Sequence, residues 1–225
     1  SNAVYYLERG NLYAGLNRFD SALADIRKAV SMEPNNYYFH HDLGLIYERM
    51  QMKREAAEHY KKAMELLYGM AYTIKMSKMG DYRMEGYYDF VVPPLEGFWW
   101  QEGIDGVDYK NKALFHWISV IRLPDFVTKA DFDWAVGEAT RKKKLDCSAA
   151  EFFTLDEGLC VQILHMGPFD DEPATVALMD EFLAVNGYEN DFLETRLHHE
   201  IYLSDARKVP PEKWKTVIRH PVKKR

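Results

Sequence analysis

The feature that most constrains this fold is the match the chain makes with itself at an offset of 34 residues. Gly10 aligns with Gly44, Tyr13 with Tyr47, Ala22 with Ala56 and Ala29 with Ala63. A period of that length fits a helix–turn–helix unit. Small residues fall where two helices must approach closely, and Tyr6, Tyr13, Tyr47 and Tyr60 fill the space between them. Pro34, followed by Asn35-Asn36, breaks the first unit from the second, because proline lacks the helical N–H donor. The second unit has Tyr68 where the breaker would stand. Apolar residues continue at helical spacing through Ala63, Leu66, Leu67, Met70, Ile74 and Met76. The last helix is therefore predicted to run on to about Lys78.

After Gly80 the pattern becomes short and β-rich. Strands are predicted near Gly86–Val92, Leu95–Glu102, Phe115–Arg122, Leu159–His165, Arg196–Leu203 and Trp214–His220. Helices are predicted at Lys129–Lys143 and Glu172–Asn186. Asp131 and Asp133 sit near the positive end of the first helix. Pro173 suits the first turn of the second, and Gly187 stops it. The sum is an α+β chain: helical hairpins over residues 4–66, then an antiparallel sheet domain with two packed helices over 67–224.

Composition excludes several classes. A formal charge of −6 opposes nucleic-acid binding, since Arg141–Lys144 and Lys223–Arg225 are short basic clusters rather than a basic face. No apolar run approaches the roughly 18–20 residues of a membrane span. Cys147 and Cys160 have neither a metal-ligand partner nor a disulfide framework, which points to a reducing cytoplasm. No His-x-x-x-His pair, Gly-rich phosphate loop or Gly-x-Ser-x-Gly elbow is present, so no metal or cofactor is expected. Ser1-Asn2-Ala3 reads as a cloning remnant, so the chain is expected to be part of a longer protein.

Two segments carry candidate chemistry: Glu85-Gly-Tyr-Tyr-Asp-Phe-Val-Val-Pro-Pro-Leu-Glu-Gly-Phe-Trp-Trp100 and Thr195-Arg-Leu-His-His-Glu-Ile-Tyr-Leu203. Strand residues two apart share a face, so His198, Glu200 and Tyr202 lie together, opposite Leu197, His199 and Ile201. If the Leu–Ile face packs on helices, Glu200 points into a cleft. Burial there would raise its pKa and suit it as counter-ion to a lipophilic cation or as general base for a water. Trp99 and Trp100 have opposite parity, so one of these two candidate ligand contacts lines the cavity. Trp117 is another candidate wall, and Phe169, after Gly167-Pro168, a candidate end. Flat aromatic walls suit planar conjugated molecules and cations.

The N-terminal units resemble the tetratricopeptide repeat. Two repeats are fewer than stable arrays need; they serve either to dock a protein partner or to support the second domain. Residues 63–224 resemble the GyrI-like small-molecule-binding family. The matching motifs are Ala71–Lys78, Glu85–Trp100, Phe115–Ser119, Glu157–Gln162, His165–Thr175, His198–Asp205 and Lys215–Pro221. The resemblance implies two pseudo-symmetric strand-helix-strand-strand halves with a ligand cleft between them. It also implies bulky aromatic ligands and, in the subgroup with Pro-Pro-Leu-Glu-Gly-x-Trp-Trp, hydrolysis of cyclopropane-bearing genotoxins. Glu200 would then activate water, and Tyr87, the tyrosine of the family's Glu-Gly-Tyr motif, would stabilise the developing phenolate. A non-catalytic ligand sensor signalling through the repeats is the alternative. The family's first strand has no counterpart here. An open sheet edge is therefore expected, covered by the repeat helices or by a second copy in a homodimer.

Overall fold

The computed structural model describes residues 2–34, 36–50, 53–101, 103–109, 115–145, 147 and 150–225. Of the repeat positions, Asn35 and the side chains of Ala56, Tyr60 and Ala63 lie outside the described residues. The chain divides into two compact units: Ser1–Val92 with Leu123–Phe153, and Pro93–Arg122 with Thr154–Arg225.

The first unit opens with α1 (Asn2–Gly15), α2 (Phe19–Met32), α3 (Tyr37–Arg49) and α4 (Lys53–Lys75), each packed on the next. The aligned small residues do what the repeat demanded. A Cβ at Gly10 would sit 2.5 Å from Ile26 Cγ1, so only glycine allows α1 this close to α2. Ala14, Ala22, Leu23, Ile26, Leu43 and Ile46 make the core there, with Tyr47 closing it. Gly10→Ala is expected to cost about 1–3 kcal/mol by overpacking. A lower urea midpoint at unchanged m-value checks it.

α4 reaches Lys75 and tightens into a 3-10 turn over Met76–Met79, so the predicted extension exists with a narrower last turn. The predicted strand at Gly86–Val92 is corrected: that segment is a turn followed by extended chain outside any sheet. Its aromatics pack inward instead, Tyr87 and Phe90 meeting Phe126 at 5.3 and 6.0 Å between ring centres. Pro93-Pro94 follow directly and lack the N–H groups a ladder needs. α5 (Lys129–Lys143) begins with a capping box in which Thr128 and Asp131 bond each other's backbone N–H.

The second unit is a sheet of β1 (Glu96–Trp100), β2 (His116–Val120), β3 (Cys160–Met166), β4 (Tyr188–Asn190), β5 (His198–Tyr202) and β6 (Lys215–Lys224), with α6 (Glu172–Asn186). The order is β2-β1-β5-β6-β3, every pair antiparallel, and β4 adds to β6. Among the described residues no strand precedes β1 in the chain, and β2 pairs only with β1.

Candidate ligand site and active site

Register decides which side chains meet. Glu200 lies opposite Gly97 on β1 and Ile218 on β6. Trp99 lies opposite both His198 and Trp117. Directly opposed residues share a face, so Trp99, Trp117, His198, Glu200 and Tyr202 project from the same side. α6 covers this same side. Thr216, opposite Tyr202, is also opposite His165, and His165 Nδ1 hydrogen-bonds Thr175 of α6 at 2.8 Å. α6 thus packs on the Glu200 face rather than on the Leu197–Ile201 face. The acid is walled in because α6 lies on its side of the sheet, with Glu172 in the first turn only 2 % exposed.

Glu200 is 6 % exposed and accepts a hydrogen bond from His198 Nε2 at 2.9 Å. His198 Nδ1 in turn meets His220 Nε2 at 2.7 Å. Burial, helped by His198, lowers His220 to about 3, so its ring is neutral. Trp99 and Trp117 stack at 5.1 Å with planes 8° apart, and Trp99 Nε1 donates to Tyr202 Oη at 3.0 Å. Burial, then the Glu200 charge and its hydrogen bond, push the Tyr202 phenol well above its usual value. Phe169 stands edge-on to Tyr202 and packs on Trp214.

Gly97 makes this convergence possible. A Cβ there would lie 2.7 Å from Tyr202 Oη, 2.8 Å from Trp117 Nε1 and 2.9 Å from Trp99 Nε1. Tyr109 adds a second phenol, edge-on to His198 at 6.2 Å. Burial first, then the charges of Glu172 and Glu200, push it far above the ordinary tyrosine value. It therefore stays protonated. Its buried hydroxyl has no hydrogen-bond partner among the described residues.

Residues 43–223 match the family described as the GyrI-like small molecule binding domain, and residues 3–36 match a tetratricopeptide repeat. The chain belongs to the GyrI-like family. It is similar to a crystal structure of a hydrolase from Listeria innocua: 48 % identity, TM-score 0.66, covering 73 % of this chain and 79 % of that one. An uncharacterized conserved protein from Listeria innocua is 52 % identical, also with TM-score 0.66, covering 73 % and 80 %. The repeat region is 30 % identical over 66 residues to small glutamine-rich tetratricopeptide repeat-containing protein 2 of Saccharomyces cerevisiae. That match spans 19 % of the yeast protein's length. Among the described residues, no helix is long and apolar enough to cross a membrane.

In the GyrI-like domain the candidate residues separate by face and by unit. Trp100 leaves the Glu200 face and stacks on His116 at 5.4 Å. Parity thus gives Trp99 to the site. Tyr87 belongs to the first unit, where its hydroxyl donates to the Lys75 carbonyl at 2.7 Å. There it lines a hollow of about 280 Å³ with Ser77, Lys78, Tyr82, Arg83 and Met84. Sequence reading missed Gly97, Tyr109, Glu172 and His220. Strand register sets Gly97 opposite Glu200, His220 reaches it through His198, and Tyr109 and Glu172 come from outside the strands; nothing in their local sequence marks them.

The opposite face of the GyrI-like sheet carries a structural ion cluster. His199, stacked on Phe98, bonds Glu157 at 2.7 Å and Glu96 at 2.8 Å, and Arg219 bonds Glu157 at 2.6 Å. Burial opposes charge on His199, but the hydrogen bonds and charges of the two glutamates outweigh it and raise its pKa above the ordinary 6.5. A histidine raised by folding adds stability that is fully present below its unfolded pKa and is lost as pH rises through the folded one. The melting temperature is therefore expected to fall as pH climbs above 6.5. His199→Gln should flatten that slope. An equal slope in the variant would refute the assignment.

Proposed function

We propose that the GyrI-like domain, taken as residues 67–224, holds a flat lipophilic aromatic molecule against the stacked Trp99 and Trp117. We further propose that Glu200 directs water onto a strained three-membered ring in that ligand. The observation that carries this reading is a buried carboxylate fixed by His198 beside an aromatic wall and a protonated phenol. The 48 % identity to a Listeria protein described as a hydrolase supports water as the nucleophile.

The step balances without any further reactant. Glu200 takes a proton as the water oxygen bonds to a cyclopropane carbon. The breaking C–C bond sends its electron pair into the conjugated dienone, whose oxygen becomes a phenolate. The proton held on Glu200 then neutralises that phenolate. Tyr109 is suited to donate to this oxygen, since its hydroxyl has no other partner among the described residues and a buried unpaired donor costs about 1–3 kcal/mol. Tyr87 already donates to Lys75, so the phenol role falls to Tyr109. Ring strain and aromatisation drive the reaction, leaving the protein to position and deprotonate. In this reading the repeats, residues 4–66, dock a protein partner.

The test is a single-turnover reaction with a cyclopropane-bearing conjugated dienone, followed by absorbance and product mass. The expected product has gained one water. Tight binding with no change in mass would replace hydrolysis by ligand sensing. Neither binding nor chemistry would remove the Trp99–Trp117 wall as the ligand site.

A further inference from the structure

Glu200, His198 and His220 form a buried row, and its hydrogens have few arrangements. A carboxylate only accepts, so the 2.9 Å contact requires His198 Nε2 to carry hydrogen. At the other ring nitrogen two nitrogens face each other at 2.7 Å, and one of them must hold the hydrogen between them. When His198 is neutral, His220 Nε2–H donates to it. When the pair gains a proton, the hydrogen between the rings passes to His198 Nδ1, which then donates to a bare His220 Nε2, and the added proton sits on His220 Nδ1. His220 Nδ1 has no hydrogen-bond partner among the described residues, so no other contact fixes which of its nitrogens carries the hydrogen. The Nε2–H that holds Glu200 survives in both arrangements.

We propose that His220 is a positioning residue: it orients His198 in either arrangement, so that the Glu200 carboxylate bonded to His198 keeps one orientation beside the Trp99–Trp117 wall. His220 acts through His198, the side chain it bonds. Burial and the edge-on ring of Phe192, 4.9 Å away, hold His220 itself in place. The titratable groups around the row are Glu200 and Tyr202 on β5, Tyr109 from the 101–115 segment and Glu172 on α6, whose charge both phenols feel. Burial holds both Tyr109 and Tyr202 protonated.

The effect on turnover rests on the reading of Glu200 above, whereas the hydrogen itself is observable without turnover. Proton and 15N NMR of the imidazoles should reveal a slowly exchanging downfield proton on His198 Nε2. His220→Gln should keep it, because a side-chain amide can both donate and accept. His220→Leu can do neither, so the proton should exchange rapidly. In that variant kcat is expected to fall roughly 10- to 100-fold through misplacement of the base, with KM little changed. His220→Leu retaining both the protected proton and the parental kcat would overturn the proposal. If His220→Leu fails to fold, His220→Gln decides: loss of the protected proton from the folded Gln variant overturns it equally. A parent that binds but does not turn over would sink hydrolysis, yet the protected proton would still read the role of His220.

Discussion

Glu200→Gln is expected to slow ring opening by about 10²–10⁴-fold, the usual contribution of a positioned general base. The substitution keeps the shape of the side chain. The amide oxygen can still accept from His198 Nε2, so the 2.9 Å contact persists. What disappears is the group that takes the proton from water. Dissociation constants from tryptophan quenching should change little, because Trp99 and Trp117 supply the wall and remain stacked. The combination of lost rate and kept affinity identifies a group that acts in the transition state rather than in binding. A rate within about threefold of the parent would remove Glu200 from the chemistry. If affinity for cationic ligands alone collapsed, Glu200 would be a counter-ion.

Gly97→Ala should damage the site through geometry alone. The new methyl would sit below 3.0 Å from Tyr202 Oη, Trp117 Nε1 and Trp99 Nε1 at once. All three belong to large, closely packed rings, so relief requires the two indoles to part or β1 to shift. The expected cost is about 1–3 kcal/mol in stability, as for other overpacked positions, together with loss of stacked-indole circular dichroism in the near ultraviolet. Ligand affinity should drop at least about tenfold, equivalent to roughly 1.4 kcal/mol. Gly137→Ala is the matched control: it lies in α5 with no atom within 4 Å of the added carbon, and it should be neutral or stabilising by about 0.5–1 kcal/mol. A Gly97→Ala protein with parental affinity and an intact dichroism signal would mean that the ligand does not rest on the Trp99–Trp117 wall.

The limits of local reading are visible in single elements. α5 and α6 occupy the predicted Lys129–Lys143 and Glu172–Asn186, because their starts and stops are written in Thr128, Asp131, Pro173 and Gly187. The segment at Gly86–Val92 misled: alternating aromatics beside Pro93-Pro94 look like a strand, yet α4 and α5 offer Tyr87 and Phe90 a core to enter. β4, only three residues long, carries too short a pattern to be recognised and exists through pairing with β6.

By itself, the sequence determined the helical repeats, the α+β class, the family and the shared face of His198, Glu200 and Tyr202. The family rests on long motifs that resemble those of its members; the other properties follow from periodicity, caps and parity, which act within one chain segment. Tertiary structure alone decided that α6 covers the Glu200 face, that Trp99 rather than Trp100 joins it, and that Gly97, Tyr109 and His220 complete the site. The physical reason is register. Which residue lies opposite Glu200 depends on how strands separated by about a hundred residues slide past one another, and a slip of one position in β1 or β6 would turn Trp99 or His220 to the other face.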